Sequence, residues 1–530
     1  MTESQPPIAS RIRGWMEELR RTDSQVSLLL SIAVGVLVGL VTVAFILVTG
    51  RLAARMYPAG GSGWRRILLP VFGSLSTGIL LSKYFPFARG SGIPQTKYAL
   101  MVHEGYIRFR TVVGKLLCCS MSLASGMSLG REGPSVQVGA GIASVLGRNL
   151  GLGSEKVKLL IPVGSSAALA AAFNTPIAAV IFTLEEVVGD LHATVMGNAV
   201  LSAAASWMVL HYFLGDDPLF HVPAYRLAHP SELGVYAVLG VAGGLASVAF
   251  VKLLLSLRRY FLRFPKSTLW LQPVAGGLAV GIIGYFFPAV MGAGYNLIDQ
   301  VLNGDSVVQT VFILAVLKII ATAVCYSSGN AGGIFGPSLF IGAMTGATIG
   351  GIAHKLFPGV TAGPGAYALV GMGTAFAGIL RTPITSVIMI FELTRDYTII
   401  VPLMISNTIA YLISQRLQHL PIYEALARQD GVHLPETHAP TRFGQAASVM
   451  RPKSLITTKP DETENFAHVH PDHSLPQVLE RMGASGLNEL PVVSRANVHD
   501  VLGIVILDDV LKAYGFADRQ PHALFTGGES

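Results

Sequence analysis

Between Ser128 and Gly141 the sequence SLGREGPSVQVGAG places Arg131 and Glu132 at the mouth of a helix inside otherwise apolar chain. Two charges in such a setting are costly unless they are used. Gly130 and Gly133 let the backbone turn tightly and come close to a small ligand, and Pro134 suits the opening of a helix. The amides of Ser135 and its neighbours then have no intrahelical acceptor, so the helix start offers free N–H donors and partial positive charge. At membrane depth a small anion can occupy such an end, and so can a carboxylate standing in for one. Glu132 is the candidate stand-in; the competing reading is an ordinary loop glutamate at a helix start.

Composition settles the solvent. The chain is 51% hydrophobic and 13% charged, against roughly 25% charged in soluble domains, which puts most of its length in a bilayer. The net charge of +7 suits topology and anionic lipid rather than nucleic acid, and no basic and aromatic tract suggests RNA or DNA binding. Cys118, Cys119 and Cys325 lie in apolar runs without metal-ligand spacing and read as packing residues. No His-Glu-x-x-His motif and no nucleophile paired with a histidine is present, so neither an enzyme nor a metal or cofactor is implied.

Residues 1–25 are polar and carry Arg11, Arg13, Arg20 and Arg21 ahead of the apolar run Val26 to Val48. That run is long enough to span and lacks a small-residue cleavage site, so it reads as a retained helix. The arginines favour a cytoplasmic N-terminus, while Arg51, Arg55, Arg65 and Arg66 beyond the run oppose it. From Ile67 to Leu417, roughly eleven apolar stretches alternate with short loops, many of them broken by Gly or Pro. Irregular backbone at membrane depth is tolerated where it is buried in protein or lines a wet cavity, so the breaks point to a transport pathway.

Three breaks share a form: Gly90-Ser91-Gly92-Ile93-Pro94, Gly130-Arg131-Glu132-Gly133-Pro134 and Gly333-Ile334-Phe335-Gly336-Pro337. Each ends in a proline placed to open a helix. The chain also repeats itself. Gly133-Pro134-Ser135 recurs as Gly336-Pro337-Ser338, and Asn174-Thr175-Pro176-Ile177 through Glu185 recurs as Arg381-Thr382-Pro383-Ile384 through Glu392. An offset of about 203 to 207 residues suits two halves of a transporter. An odd number of spans per half would make the halves inverted, and the pattern alone leaves parallel halves open.

Residues 426–445 read as a polar linker. A soluble segment follows at 446–517, with a helix over 475–482, strands over 490–493 and 502–505 and a closing helix over 509–514. The last residues, 518–530, read as a disordered tail.

With these motifs and Pro421-Ile422-Tyr423 after the last span, residues 26–425 resemble the CLC family of chloride channels and chloride/proton antiporters. Val449-Met450-Arg451-Pro452, Leu490-Pro491-Val492-Val493 and Gly503-Ile504-Val505 resemble a single CBS module. The resemblance implies an all-α polytopic membrane protein: an inverted-repeat core of tilted and broken helices, followed by a small α/β cytoplasmic domain. It implies a homodimer in the lipid bilayer, with multi-pass subunits in the cell membrane and both termini cytoplasmic. Its expected partners are chloride and protons.

Position by position, the resemblance implies that Ser91 and Tyr423 offer hydroxyls to a central chloride and that the amides of Ile334 and Phe335 complete the site. Serine in the first motif is the form of the chloride-preferring members. Glu132 matches the gating glutamate, which competes with the anion when charged and moves aside when protonated. Glu186 matches the position that hands protons between the inner solution and that gate, so an acid there implies antiport rather than a passive chloride channel. Each residue also has a plainer reading: an interfacial aromatic for Tyr423, a turn for Ser91, packing for Phe335, an acid at a helix end for Glu186. Gln95 stands where many relatives have Glu, and Glu185, which pairs with Glu392 in the repeat, reads as structural or pore-edge. In nucleotide-binding CBS modules a Thr or Ser stands three residues before a ribose-holding Asp; here Ile506 precedes Asp509, which argues against a nucleotide. A membrane-anchored CBS sensor without transport is the reading from another class.

Overall fold

The computed structural model describes residues 23–58, 60–191, 195–223, 225, 228–304, 307–394, 397–432, 445–452, 466–494 and 500–514. The polar segment before residue 23, the linker over 433–444 and the tail lie outside the described residues. Two units divide the chain, Met1–Pro435 and Glu436–Ser530.

In the first unit, eight helices are followed by eight more of the same pattern. The first set is α1 (Asp23–Met56), α2 (Arg65–Ile79), α3 (Ile93–Met101), α4 (Phe109–Ala124), α5 (Glu132–Asn149), α6 (Ser154–Phe173), α7 (Pro176–Phe182) and α8 (Met196–Leu214). The second is α9 (Glu232–Phe261), α10 (Gln272–Phe286), α11 (Tyr295–Leu302), α12 (Val308–Ser327), α13 (Phe335–Leu356), α14 (Pro364–Leu380), α15 (Pro383–Thr394) and α16 (Ile400–Leu417), after which α17 spans Ile422–Gln429. Seven helices of the described residues are long and apolar enough to cross a membrane. The roughly eleven stretches expected between Ile67 and Leu417 become fifteen helices, because α3, α7 and α11 have only 9, 7 and 8 residues and are too short to stand out in hydropathy.

Backbone punctuation explains the match between the halves. Gly92 (φ 105°) opens α3 and Gly294 (φ 83°) opens α11. Asn174 (φ 61°) ends α6 and Arg381 (φ 62°) ends α14, each followed by a Thr-Pro that starts the next short helix. The halves then exchange contacts reciprocally. Glu185 accepts from the amide of Thr385 at 2.8 Å and of Ile384 at 3.3 Å, while Glu392 accepts from the amide of Ala178 at 2.8 Å and of Ile177 at 3.0 Å. Within each half an equivalent buried lysine recurs, Lys115 donating to the carbonyls of Ala88 and Gly90 and Lys318 to those of Val290 and Gly292. Exchange of equivalent contacts in both directions is the signature of a two-fold rotation, and α2 packs on its counterpart α10 as α7 does on α15.

The Glu185 and Glu392 pairs make a test of that architecture. Each carboxylate caps the first turn of a short helix from the other half, where amides lack intrahelical acceptors. Glu185→Ala or Glu392→Ala is expected to cost about 1–3 kcal/mol, read as a lowered Tm of the detergent-solubilised protein; an unchanged Tm would deny them this role.

Two boundaries move. α1 begins at Asp23, inside the segment assigned to the polar N-terminus, and α17 runs through residues 426–429 of the expected linker, with Leu426 and Ala427 buried.

In the second unit, α18 (Ala446–Val449) and β1 (Arg451–Pro452) precede α19 (Leu475–Ser485), β2 (Glu489–Val493), β3 (Val501–Ile506) and α20 (Leu507–Ala513). The antiparallel sheet has the order β1-β3-β2. Leu475, Val478 and Met482 form the apolar stripe of α19 and pack with Leu490, Val492, Val505 and Val510. Asp509 is engaged by Arg451, with Nε to Oδ2 at 2.5 Å and Nη2 to Oδ1 at 2.8 Å. That hydrogen-bonded guanidinium holds the Asp509 carboxyl below the usual aspartate range.

Candidate functional site

The three proline-terminated breaks converge. A methyl group on Gly92 would stand 2.3 Å from the carbonyl oxygen of Gly133, and one on Gly133 would stand 2.6 Å from that of Ser91. Gly130 and Gly333 pair through both backbone hydrogen bonds, at 2.8 and 2.7 Å. Only glycine permits backbones to meet this closely. Pro94, Pro134 and Pro337 stand in the first turns of α3, α5 and α13, so three helix mouths share one buried junction. Gly90 and Ile93 complete the first of them, where Gln95 accepts from the amide of Gly92 at 2.9 Å and so caps α3.

Glu132 is fully buried at this junction. Its Oε2 accepts from the amide of Gly336 at 3.3 Å, in the first turn of α13, and its Oε1 accepts from the hydroxyl of Tyr295. The carboxylate therefore occupies a helix N-terminus of the opposite half. Gly130 and Gly336 wall the pocket: methyl groups there would lie 2.2 and 3.3 Å from Oε2. Arg131 lies over the ring of Tyr295, its guanidinium carbon 5.7 Å from the centroid.

Ser91 and Tyr423 are both buried, and neither hydroxyl makes a hydrogen bond to the described residues. Two orphaned buried hydroxyls are rare enough to need a reason. Tyr326 lies beside Ser91 and acts electrostatically on Tyr423, whose helix α17 packs on α3. Ile334 and Phe335 are buried at the mouth of α13, where the leading amides have no intrahelical acceptor. The Phe335 side chain is held by Phe173, Phe376 and Phe182, at centroid distances of 4.5, 4.5 and 5.3 Å.

Glu186 lies in a π-helical turn, Thr183–Val188, that continues α7. It is buried and paired with Lys97 of α3, Nζ to Oε1 at 2.9 Å. Tyr423 lies within electrostatic reach of both Glu186 and Glu132. Glu185, beside it, is engaged by the amides of Ile384 and Thr385 at the start of α15.

The sequence profile described as voltage gated chloride channel matches residues 73–415. The H(+)/Cl(-) exchange transporter ClcA of Vibrio cholerae is 31% identical over 418 residues, covering 75% of this chain and 88% of that protein. The chain belongs to the CLC family. Among solved structures, that of a slow cyanobacterial Cl-/H+ antiporter superimposes with a TM-score of 0.71 at 26% identity, covering 76% of this chain and 97% of the other. A CLC-type fluoride/proton antiporter follows at a TM-score of 0.66 and 25% identity, covering 76% and 98%. A CBS profile matches residues 453–515. This CLC protein is thus a multi-pass membrane protein of an anion-transporting family, and not an enzyme.

Three residues at the junction went unread in the sequence of this CLC chain: Tyr295, Lys97 and Tyr326. Tyr295 had a signal, since Gly294-Tyr295 opens α11 as Gly92-Ile93 opens α3. Lys97 and Tyr326 had none, because their partners are set by packing between distant helices.

Proposed function

We propose that this CLC protein exchanges chloride for protons, with Glu132 as the gate and proton acceptor, Glu186 as the inner proton acceptor, and Ser91, Tyr423 and the amides of Ile334 and Phe335 as the central anion site. The observation that carries the reading is Glu132 itself. A charged carboxylate seated on the amide of Gly336 takes the place an anion would take, so anion entry and proton release become alternatives at one helix mouth. Protonation removes the charge that holds it there and frees the mouth for chloride. Hydroxyls and amides suit the central site, since full cations would hold the ion too tightly to release it.

Glu186 supports exchange over passive conduction, because a second buried acid within electrostatic reach of Tyr423 supplies a second proton station. The active form is proposed to be a homodimer in the cell membrane with both termini cytoplasmic. Nucleotide plays no part in this proposal, since Asp509 is already bound by Arg451.

The test is flux in proteoliposomes. A chloride gradient is expected to drive protons uphill through the wild type, and Glu186→Gln is expected to lower that proton flux at least about tenfold, the loss of a positioned acid or base, while chloride still moves. Chloride movement with no uphill protons in the wild type would instead identify a passive channel. Competition between chloride and fluoride in the same vesicles identifies the preferred anion.

A further inference from the structure

Lys97 carries a charge that the exchange just described does not use. It stands one turn into α3, six residues after Ser91, and is 6% exposed; Glu186, its partner, is 3% exposed. Both are therefore out of solvent, where an ammonium without a counter-charge is strongly disfavoured. The surroundings leave the pair to itself. Residues 159–184, which carry most of α6 and all of α7 up to the π-helical turn, contain no Asp, Glu, Lys, Arg or His, and neither do residues 133–147 of α5. Glu185, beside it on the turn, and the Tyr423 phenol from α17 also lie within electrostatic reach of Glu186. Glu185 is fixed on Ile384 and Thr385. The remaining charges of the elements packed around the pair are Glu132 and Arg148 at the two ends of α5, Glu155, Lys156 and Lys158 at the start of α6, and Glu424 and Arg428 on α17, where Glu424 acts on Arg381.

We infer that Lys97 is a positioning residue for proton entry: its ammonium holds Glu186 ionised and turned toward α3, so that an incoming proton must displace Lys97 before the carboxyl can pass it onward. This deepens the exchange reading and rests on it. Protonation of Glu186 consumes one proton from the inner solution and leaves Lys97 as an ammonium, so the pair changes from neutral to a single positive charge. That positive charge arises on the helix that also carries Ser91, two residues before its start. Anion occupancy of the central site and protonation of Glu186 should consequently favour each other.

The experiment uses the full chain in proteoliposomes and reads uphill proton flux against inner pH for the wild type, Lys97→Arg and Lys97→Met. Lys97→Met keeps the buried volume and removes the cation, so Glu186 takes up a proton at higher pH and the half-maximal point of proton flux moves roughly one to three pH units toward alkaline. Lys97→Arg keeps the cation and the wild-type profile. A purely structural pin would lower yield or turnover in both variants without moving the profile, and that result overturns the inference. Should Lys97→Met fail to fold, infrared difference spectra decide: the wild type shows no protonated-carboxyl band lost by Glu186→Gln at neutral pH, and its presence there overturns the inference. A wild type that moves no protons uphill sinks exchange and Lys97's role together, whereas a coupled wild type with an unshifted Lys97→Met profile sinks the role alone.

Discussion

Glu132→Ala is expected to leave chloride moving while abolishing its pH dependence, and to lower uphill proton flux at least about tenfold. The reason lies in what the carboxylate touches. It holds the Gly336 amide through Oε2 and the Tyr295 hydroxyl through Oε1. Truncation removes the only titratable group in contact with both donors among the described residues and leaves the donors to the anion. Tyr295→Phe separates the two effects. It deletes one hydrogen bond to a charged group, about 1.5–3 kcal/mol, and so shifts the balance between seated and displaced carboxylate roughly ten- to hundredfold. Titratability survives in that variant, so chloride flux should rise at neutral pH and remain pH dependent. Chloride efflux measured across pH in proteoliposomes checks both; a Glu132→Ala protein with the wild-type pH profile would remove Glu132 from the gate.

How much of this could be read beforehand depends on the kind of residue. The three Gly-rich breaks were legible because such a break ending in proline has few physical uses in apolar sequence, and close backbone approach at Gly92, Gly133 and the Gly130–Gly333 pair is the one realised here. The repeat was legible at two patches. Its full extent was not, because α1 and α9, or α2 and α10, share length and order without sharing residues. Glu185 and Glu392 were visible as equivalents, yet nothing local said that each caps the other half's helix. Partners of long side chains were illegible for the same reason: Lys97 and Glu186 are 89 residues apart, Tyr295 and Glu132 163 apart, and only packing makes them neighbours. The end of the last helix was hard to read because α17 is amphipathic, with Arg428 and Gln429 polar in composition and Leu426 buried beside them.

The shared junction makes a second strong prediction, and it distinguishes two glycines that look alike in sequence. Gly92→Ala forces a side chain onto a residue at φ 105° and drives its Cβ to 2.3 Å from a backbone oxygen that has nowhere to go. Backbone strain of about 1–3 kcal/mol and overpacking of about 1–3 kcal/mol act together, a large share of the roughly 5–15 kcal/mol that keeps a domain folded. Yield and Tm should both collapse. Gly130→Ala meets a milder obstacle: its φ is outside the left-handed region, and its Cβ falls 2.2 Å from Oε2 of Glu132, the far end of a side chain that can turn away, and 3.0 Å from the backbone nitrogen of Gly336. That variant should fold and reach the membrane with the carboxylate displaced, so its chloride flux should approach that of Glu132→Ala. Thermal unfolding in detergent and chloride efflux on the same preparations separate the outcomes. If Gly92→Ala kept the wild-type Tm, or Gly130→Ala kept the wild-type pH profile, the three helix mouths would not meet as closely as the gate requires, since a carboxylate can close a pathway only where its seat is no wider than itself.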